Sequence, residues 1–376
     1  INLRVLDANG AGTDSAVIRA IDMAISLRRT YNIRVINLSL GRPVQESYRT
    51  DPLCQAVEKA WKAGIVVVVA AGNEGRNNTA GTKGYATINS PANDPYVITV
   101  GAMNDKRSTS RADDVMTSYS SKGPSLIDHI VKPDIVAPGN RIISLTNSGG
   151  NLWKLHSSDA NKVKWQYYRK TTSTQYSPVY YKLSGTSMAA AAVSGAVAAM
   201  IQKDPDLKPD EIKARLMKTA TKSFPTMSTV SYPETGETFL IHYDIFTVGA
   251  GYLDMWAALN ATDDWPRGAS ALSPTAVRKA DGTVTVINTN TTRSSKPENS
   301  SAIWGSSAIW GSSAIWGSTV FIDGASAIWG SSAIWGSSAI WGSVGTQGAS
   351  AIWGSSAIWG TTATKTASSP QIAGEN

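Results

Sequence analysis

Ile65-Val66-Val67-Val68-Val69-Ala70-Ala71 is an uninterrupted apolar run dominated by β-branched residues. It is far shorter than the ~20 residues a membrane-crossing helix needs, and so is the other long apolar stretch, Ala189 to Ile201. A run of this length with no polar alternation fits a strand buried on both faces, which occurs where helices cover both sides of a parallel sheet. The surrounding pattern agrees. Residues 1 to about 260 alternate strand-like and helix-like segments. Ile1 to Leu6 reads as a short strand, and Asp14 or Ser15 as the cap of a helix with Val17, Ile18, Ile21, Ala24 and Ile25 on one side. Arg34 to Leu40 is a second strand, and Leu53, Ala56, Val57, Ala60 and Trp61 share one side of a second helix. Tyr96 to Gly101 and Lys132 to Pro138 extend the sheet, whereas residues 145 to 182 show no clear period and read as a polar, aromatic excursion.

Only 17% of the 376 residues are charged, against about 25% in an ordinary domain. Part of the shortfall lies beyond Ser300, where Ala-Ile-Trp-Gly-Ser-Ser recurs and sets Trp304, Trp310, Trp316, Trp329, Trp335, Trp341, Trp353 and Trp359 in near-identical surroundings. The net charge of +7 is spread along the chain without a basic run, which argues against nucleic acid as a partner. The single cysteine, Cys54, excludes an intrachain disulfide or a multi-cysteine zinc site, and its apolar neighbours mark it as a small buried residue.

Two segments carry chemistry. Val69-Ala70-Ala71-Gly72-Asn73-Glu74-Gly75 sets an asparagine at the C-terminal end of the buried strand, where open α/β sheets bind ligands. Leu183-Ser184-Gly185-Thr186-Ser187-Met188-Ala189 sets a serine at the start of an alanine-rich helix. Free N–H groups and partial positive charge there suit an anionic intermediate on a serine-bound carbon. Taken singly, the asparagine is a common turn residue and the serine a common N-cap. Together they suggest acyl transfer with Ser187 as nucleophile.

These segments, with Val5-Leu6-Asp7, Val35-Ile36-Asn37-Leu38-Ser39-Leu40-Gly41, Ser90-Pro91-Ala92, Val100-Gly101-Ala102, Lys132-Pro133-Asp134-Ile135-Val136-Ala137-Pro138-Gly139 and Gly249-Ala250-Gly251-Tyr252-Leu253, follow the order and spacing of a known family. Over residues 1 to about 260 the chain resembles the subtilisin-like serine proteases. The resemblance implies an α/β fold with a parallel sheet and helices on both faces, and a serine endopeptidase acting on protein or peptide substrates. Carried over residue by residue, it implies that Ser187 attacks the scissile carbonyl and that the Asn73 side chain and the Ser187 N–H hold the oxyanion. It further implies that Ser39, Leu40 and Gly41 on one side and Ala70, Ala71 and Gly72 on the other flank the substrate, which pairs with exposed backbone there.

The family carries its catalytic Asp and His on segments preceding the stretch that matches Ile1 to Asp7, and these are expected upstream of residue 1 or on a partner chain. His129, His156 and His242 do not lie in the family's histidine context, so the chain by itself is expected to be almost inactive. The competing reading is an incompetent, protease-derived scaffold that binds through its tryptophan repeats. A second departure is Ala189-Ala190-Ala191-Ala192, where relatives carry proline; alanine favours helix, so the helix is expected to survive. Calcium stabilises many family members, but no acidic loop here is assigned to it, and no other cofactor is expected. Secretion or a cell-surface location follows by resemblance alone.

Three regions are therefore expected: a peptidase domain over 1–260, a linker with a β-hairpin around Asp281-Gly282 over 261–299, and the repeat and tail over 300–376. Low complexity favours a flexible tail, with short strands bent at the glycines and stacked as a solenoid as the structured alternative. Its tryptophan and isoleucine content points to contact with cell-surface material, other copies of itself or the protease domain.

Overall fold

The five residues of β2 (Val66–Ala70) are all buried although their side chains alternate between two faces, so both faces of the sheet are covered. β2 lies between β1 (Val35–Leu38) and β3 (Ile98–Asn104), parallel to each, with Val35 opposite Val66 and Val68 opposite Ile98. The short β4 (Val115–Met116) pairs antiparallel with the far end of β3, and β5 (Ile135–Pro138) pairs parallel with it. The computed structural model of the chain describes residues 1–79, 81–155, 160–232, 235–262, 270–278, 284–287 and 375. His156 and the tryptophan repeat lie outside the described residues.

Helix α1 (Asp14–Leu27) buries Val17, Ile21 and Ala24 along one side. Its cap is Thr13, whose Oγ1 accepts from Ala16 N–H, rather than the expected Asp14 or Ser15. Thr13 has the extended backbone an N-cap requires, while Asp14 is already helical. Helix α2 (Pro52–Lys62) is capped by the Asp51 side chain and begins with a proline, which needs no N–H partner there. Ile1 to Leu6, expected as a strand, forms only a single bridge between Leu6 and Gly12. Among the described residues no strand lies beside it, so no ladder forms.

The described residues of the aromatic excursion form regular elements. After β6 (Ile142–Leu145) come α3 (Asn151–Leu155), β7 (Lys162–Lys164) and β8 (Tyr176–Leu183), and β8 lies between β6 and β7 in an antiparallel sheet. A register shift between Lys162 and Lys164 breaks the alternation that would have revealed it.

Helix α4 (Thr186–Lys203) packs against β1, β2, β3 and β5 and runs unbroken through Ala189–Ala192. Its small residues allow this close approach: Ala189, Ala190 and Val193 are fully buried. Helix α5 (Pro209–Thr219) follows, with the Lys208 N–H donating to Glu211 Oε2. The strands β9 (Met227–Ser231) and β10 (Thr238–His242) pair antiparallel, followed by α6 (Ile245–Val248) and α7 (Met255–Asn260). The pair β11 (Thr275–Arg278) and β12 (Val284–Ile287) is antiparallel, with Arg278 opposite Val284. Just before it, Ser273 is buried with its hydroxyl donating to Asp134 Oδ1 at 2.5 Å.

Candidate active site

The parallel strands deliver their C-terminal ends to one edge of the sheet, and the start of α4 arrives there from Gly139 and Gly185. Gly185 N–H donates to the Gly139 carbonyl at 2.8 Å. Gly185 has φ +153°, and a methyl group on it would sit 3.5 Å from Asn73 Nδ2, so the helix start lies directly against the asparagine. Thr186 makes the join. Its N–H donates to Asn73 Oδ1 at 2.9 Å, and its Oγ1 contacts Asn73 Oδ1 and the Gly72 carbonyl, each at 3.1 Å. Gly72 N–H donates back to Thr186 Oγ1 at 3.2 Å.

Because Asn73 Oδ1 accepts from a backbone N–H, the orientation of the amide follows from chemistry: Nδ2 is the free end. Among the described residues Nδ2 has no hydrogen-bond partner. Ser187 is 8% exposed, and its hydroxyl makes one long hydrogen bond, 3.4 Å, to the Ser39 carbonyl. Ser39 Oγ in turn donates to the Ser187 carbonyl at 2.8 Å and accepts from Asn37 Nδ2 at 2.9 Å, tying the end of β1 to the first turn of α4. The structure thus brings Ser187, Asn73, Gly72 and Ser39 together.

The two expected substrate-flanking stretches differ. Ala71 N–H donates to Val100 O, and the Ala71 carbonyl accepts from Asn89 N–H, each at 3.0 Å. The Gly72 carbonyl also accepts from Ser121 N–H at 3.0 Å. The backbone of this wall is committed to the protein. Leu40 and Gly41, by contrast, make no backbone hydrogen bond to another described residue. Asn89 fills the gap between the walls: a methyl group on Gly41 would lie 3.0 Å from its Cβ, and one on Gly72 2.9 Å from its Nδ2.

Asn89 and Thr186 were missed in the sequence. Thr186 was hidden by its neighbour, since a threonine preceding a candidate nucleophile carries no periodic signal. Asn89 depends on a long-range approach between loops that spacing cannot reveal. Among the described residues no histidine bonds to Ser187 Oγ. His129 lies in the 125–130 loop, where burial pulls its imidazole down to about 4, and His242 lies on β10. Burial of Cys54 raises its thiol well above the ordinary value, as for an inert core residue. A calcium ion would need six to eight oxygens. Among the described residues no group of three or more His, Cys, Asp or Glu is arranged to hold a metal, and none is a helix long and apolar enough to cross a membrane.

A family model described as the subtilase family, Peptidase S8, matches residues 1–234. Serine protease AprX of Bacillus subtilis is 38% identical over 226 residues, 59% of this chain and 46% of that protein. Subtilisin DY of Bacillus licheniformis is 34% identical over 220 residues, 58% of this chain and 60% of that protein. The crystal structure of fervidolysin from Fervidobacterium pennivorans aligns with 70% of this chain and 30% of its own, at 25% identity and a TM-score of 0.43. The chain spans about half the length of the curated relatives it matches.

Proposed function

We propose, since the chain belongs to the subtilase family, that it provides the nucleophile and oxyanion site of a serine endopeptidase. The observation that carries this reading is the Thr186 N–H to Asn73 Oδ1 bond, which joins Asn73 to the residue preceding Ser187 and leaves the Asn73 Nδ2 donor without a partner among the described residues. Ser187 Oγ attacks the scissile carbonyl carbon and loses its proton to a general base, and the carbonyl oxygen becomes an oxyanion. Asn73 Nδ2 and the Ser187 N–H, the latter at the positive end of α4, donate to that oxygen. The base then returns the proton to the leaving amine, the acyl-enzyme forms, and water releases it by the reverse sequence. This reading requires a base from outside the described residues to reach Ser187.

The substrate pairs as an extended strand with the open backbone of Leu40 and Gly41. Ala70, Ala71 and Gly72 supply the opposite wall, and Asn89 a polar floor for the side chain preceding the cleaved bond. Protein substrates and a secreted location belong to the same reading. The alternative scaffold role has no supporting feature at this site, where a donor and a hydroxyl are left available instead of being satisfied.

A fluorophosphonate probe applied to the native, full-length protein tests the assignment. The adduct is expected on Ser187 and absent from Ser187→Ala; equal labelling of both proteins overturns the nucleophile. The tryptophan units are read as a contact surface, and their uniform, rapid loss in limited proteolysis, without change in solubility or partner binding, would remove that part.

A further inference from the structure

Glu375 lies 235 residues beyond Asn140, yet the two exchange a pair of hydrogen bonds: Glu375 N–H donates to Asn140 Oδ1, and Asn140 Nδ2 donates to the Glu375 carbonyl, each at 2.8 Å. An amide side chain used in this way grips a peptide backbone whatever residue it belongs to. The side chain is recognised separately. Its carboxylate accepts from Ser118 N–H at 3.1 and 3.2 Å, from Ser118 Oγ, and from Arg76 Nη2 at 2.5 Å. Arg76 is itself fixed, with Nε donating to Ser118 Oγ at 2.6 Å and its guanidinium 4.2 Å from the centre of the Tyr232 ring and 5.5 Å from that of Phe239. Ser118, Asn140 and Glu375 are all buried. A neutral residue in place of Glu375 would leave the Arg76 guanidinium without its counter-charge, and one with no acceptor would also leave the buried Ser118 N–H unmatched, so the pocket selects an acid.

We propose that Arg76, Ser118 and Asn140 form a docking site for an acidic residue and its backbone, that the chain's own Glu375 fills it, and that docking steadies the loop carrying Asn73. The connections are short. Arg76 follows Asn73 by three positions, and Gly75 N–H between them donates to the Tyr119 carbonyl at 2.8 Å. Tyr119 OH donates to the Gly139 carbonyl at 3.1 Å, the same oxygen that accepts from Gly185 N–H two residues before Ser187. Glu375 therefore ties together the three loops around the start of α4. It bonds neither Ser187 nor Asn73 and acts as a positioning residue. The docking stands on its own geometry, whereas its effect on catalysis rests on the peptidase reading.

Hydrogen exchange on the full chain tests the docking without reference to activity. In Glu375→Ala the Ser118 amide is expected to exchange at least about tenfold faster, the loss of one charge-assisted hydrogen bond, while the β2 amides keep their protection. Glu375→Gln retains an acceptor and falls between. Unchanged exchange at Ser118, or equal acceleration in β2, overturns the docking site. Peptide hydrolysis then tests the coupling: Glu375→Ala is expected to lower kcat about tenfold with KM within about twofold, the pattern of an interaction felt in the transition state. Faster Ser118 exchange with unchanged kcat overturns the coupling alone. A native, full-length protein that cleaves nothing and takes no probe sinks the peptidase reading and leaves the exchange result standing.

Discussion

The two ends of the parallel sheet are both crowded with polar groups, but they are built to opposite purposes. At the N-terminal ends of β3 and β5, Lys132, Asp134 and Lys213 are wholly buried. Lys132 Nζ donates to Asp134 Oδ2 at 2.7 Å. Lys213 Nζ reaches the Pro95, Tyr96 and Val97 carbonyls at 2.8, 3.2 and 3.0 Å and Ser273 Oγ at 2.9 Å, with Asp134 Oδ1 3.2 Å away. Thr99 N–H and Ser273 Oγ complete the shell of Asp134. At the C-terminal ends of β1 and β2, Asn73 Nδ2 has no described partner and Ser187 Oγ has one long bond. Polar density alone does not mark a site. What separates the two clusters is satisfaction. Lys132, Asp134 and Lys213 form a closed network that supports the fold, although the neighbouring Asn93 Nδ2 and Asp94 Oδ2 are buried without a partner among the described residues, whereas an open donor near a hydroxyl is available for chemistry.

Substitutions at either end can break this contrast. The largest effect is expected from Ser187→Ala at the open end, which abolishes probe labelling with little change in unfolding. At the closed end, Asp134→Ala removes the carboxylate shared by two buried lysines, of which burial already pulls Lys213 down to about 7, and should lower stability by about 3–5 kcal/mol in urea unfolding. A loss below about 1 kcal/mol would show that the cluster is not a closed network. The labelling rate of the folded fraction should hold, because the two ends share no partner.

Asn73→Leu is the converse. It should lower kcat by about 10²–10³, a magnitude taken from loss of an oxyanion donor in a member of this same family. Stability should fall by only about 1 kcal/mol for the Thr186 bond. A kcat within twofold of wild type would remove Asn73 from the oxyanion site.

The smallest effect concerns pH. Burial holds the His129 imidazole, near the closed end, at about 4, below its ordinary value near 6.5. Between those values the unfolded chain binds a proton that the native chain does not, so stability rises with pH across the window. Acidification from about 6.5 to 4 should cost up to about 3 kcal/mol, with no further change from this group below 4. Asparagine tolerates the φ of +53° at this position, so His129→Asn should flatten that slope in urea unfolding. An unaltered slope would assign the acid sensitivity to other groups.

Much of this was legible in the chain itself. The valine run, the alanine-rich helix and the glycine-bounded Asn73 and Ser187 segments are local patterns whose period or turn chemistry reflects burial directly. The antiparallel sheet over 142–183 was not legible, because a register shift and two-sided exposure blur alternation. Ile1 to Leu6 has the composition of a strand, but a ladder depends on a neighbour rather than on propensity.

The amino-acid sequence by itself determined the parallel α/β core and singled out the pair of residues proposed to carry the chemistry, since burial periodicity and residue type are properties of short segments. Tertiary structure alone decided that the Asn73 amide is bonded through its oxygen and leaves its donor unpaired among the described residues, that Asn89 stands between the two walls, and that Glu375 is clasped beside Arg76. Each of these is a hydrogen bond or a close approach between residues far apart in the chain, and such contacts exist only once packing has brought their loops together.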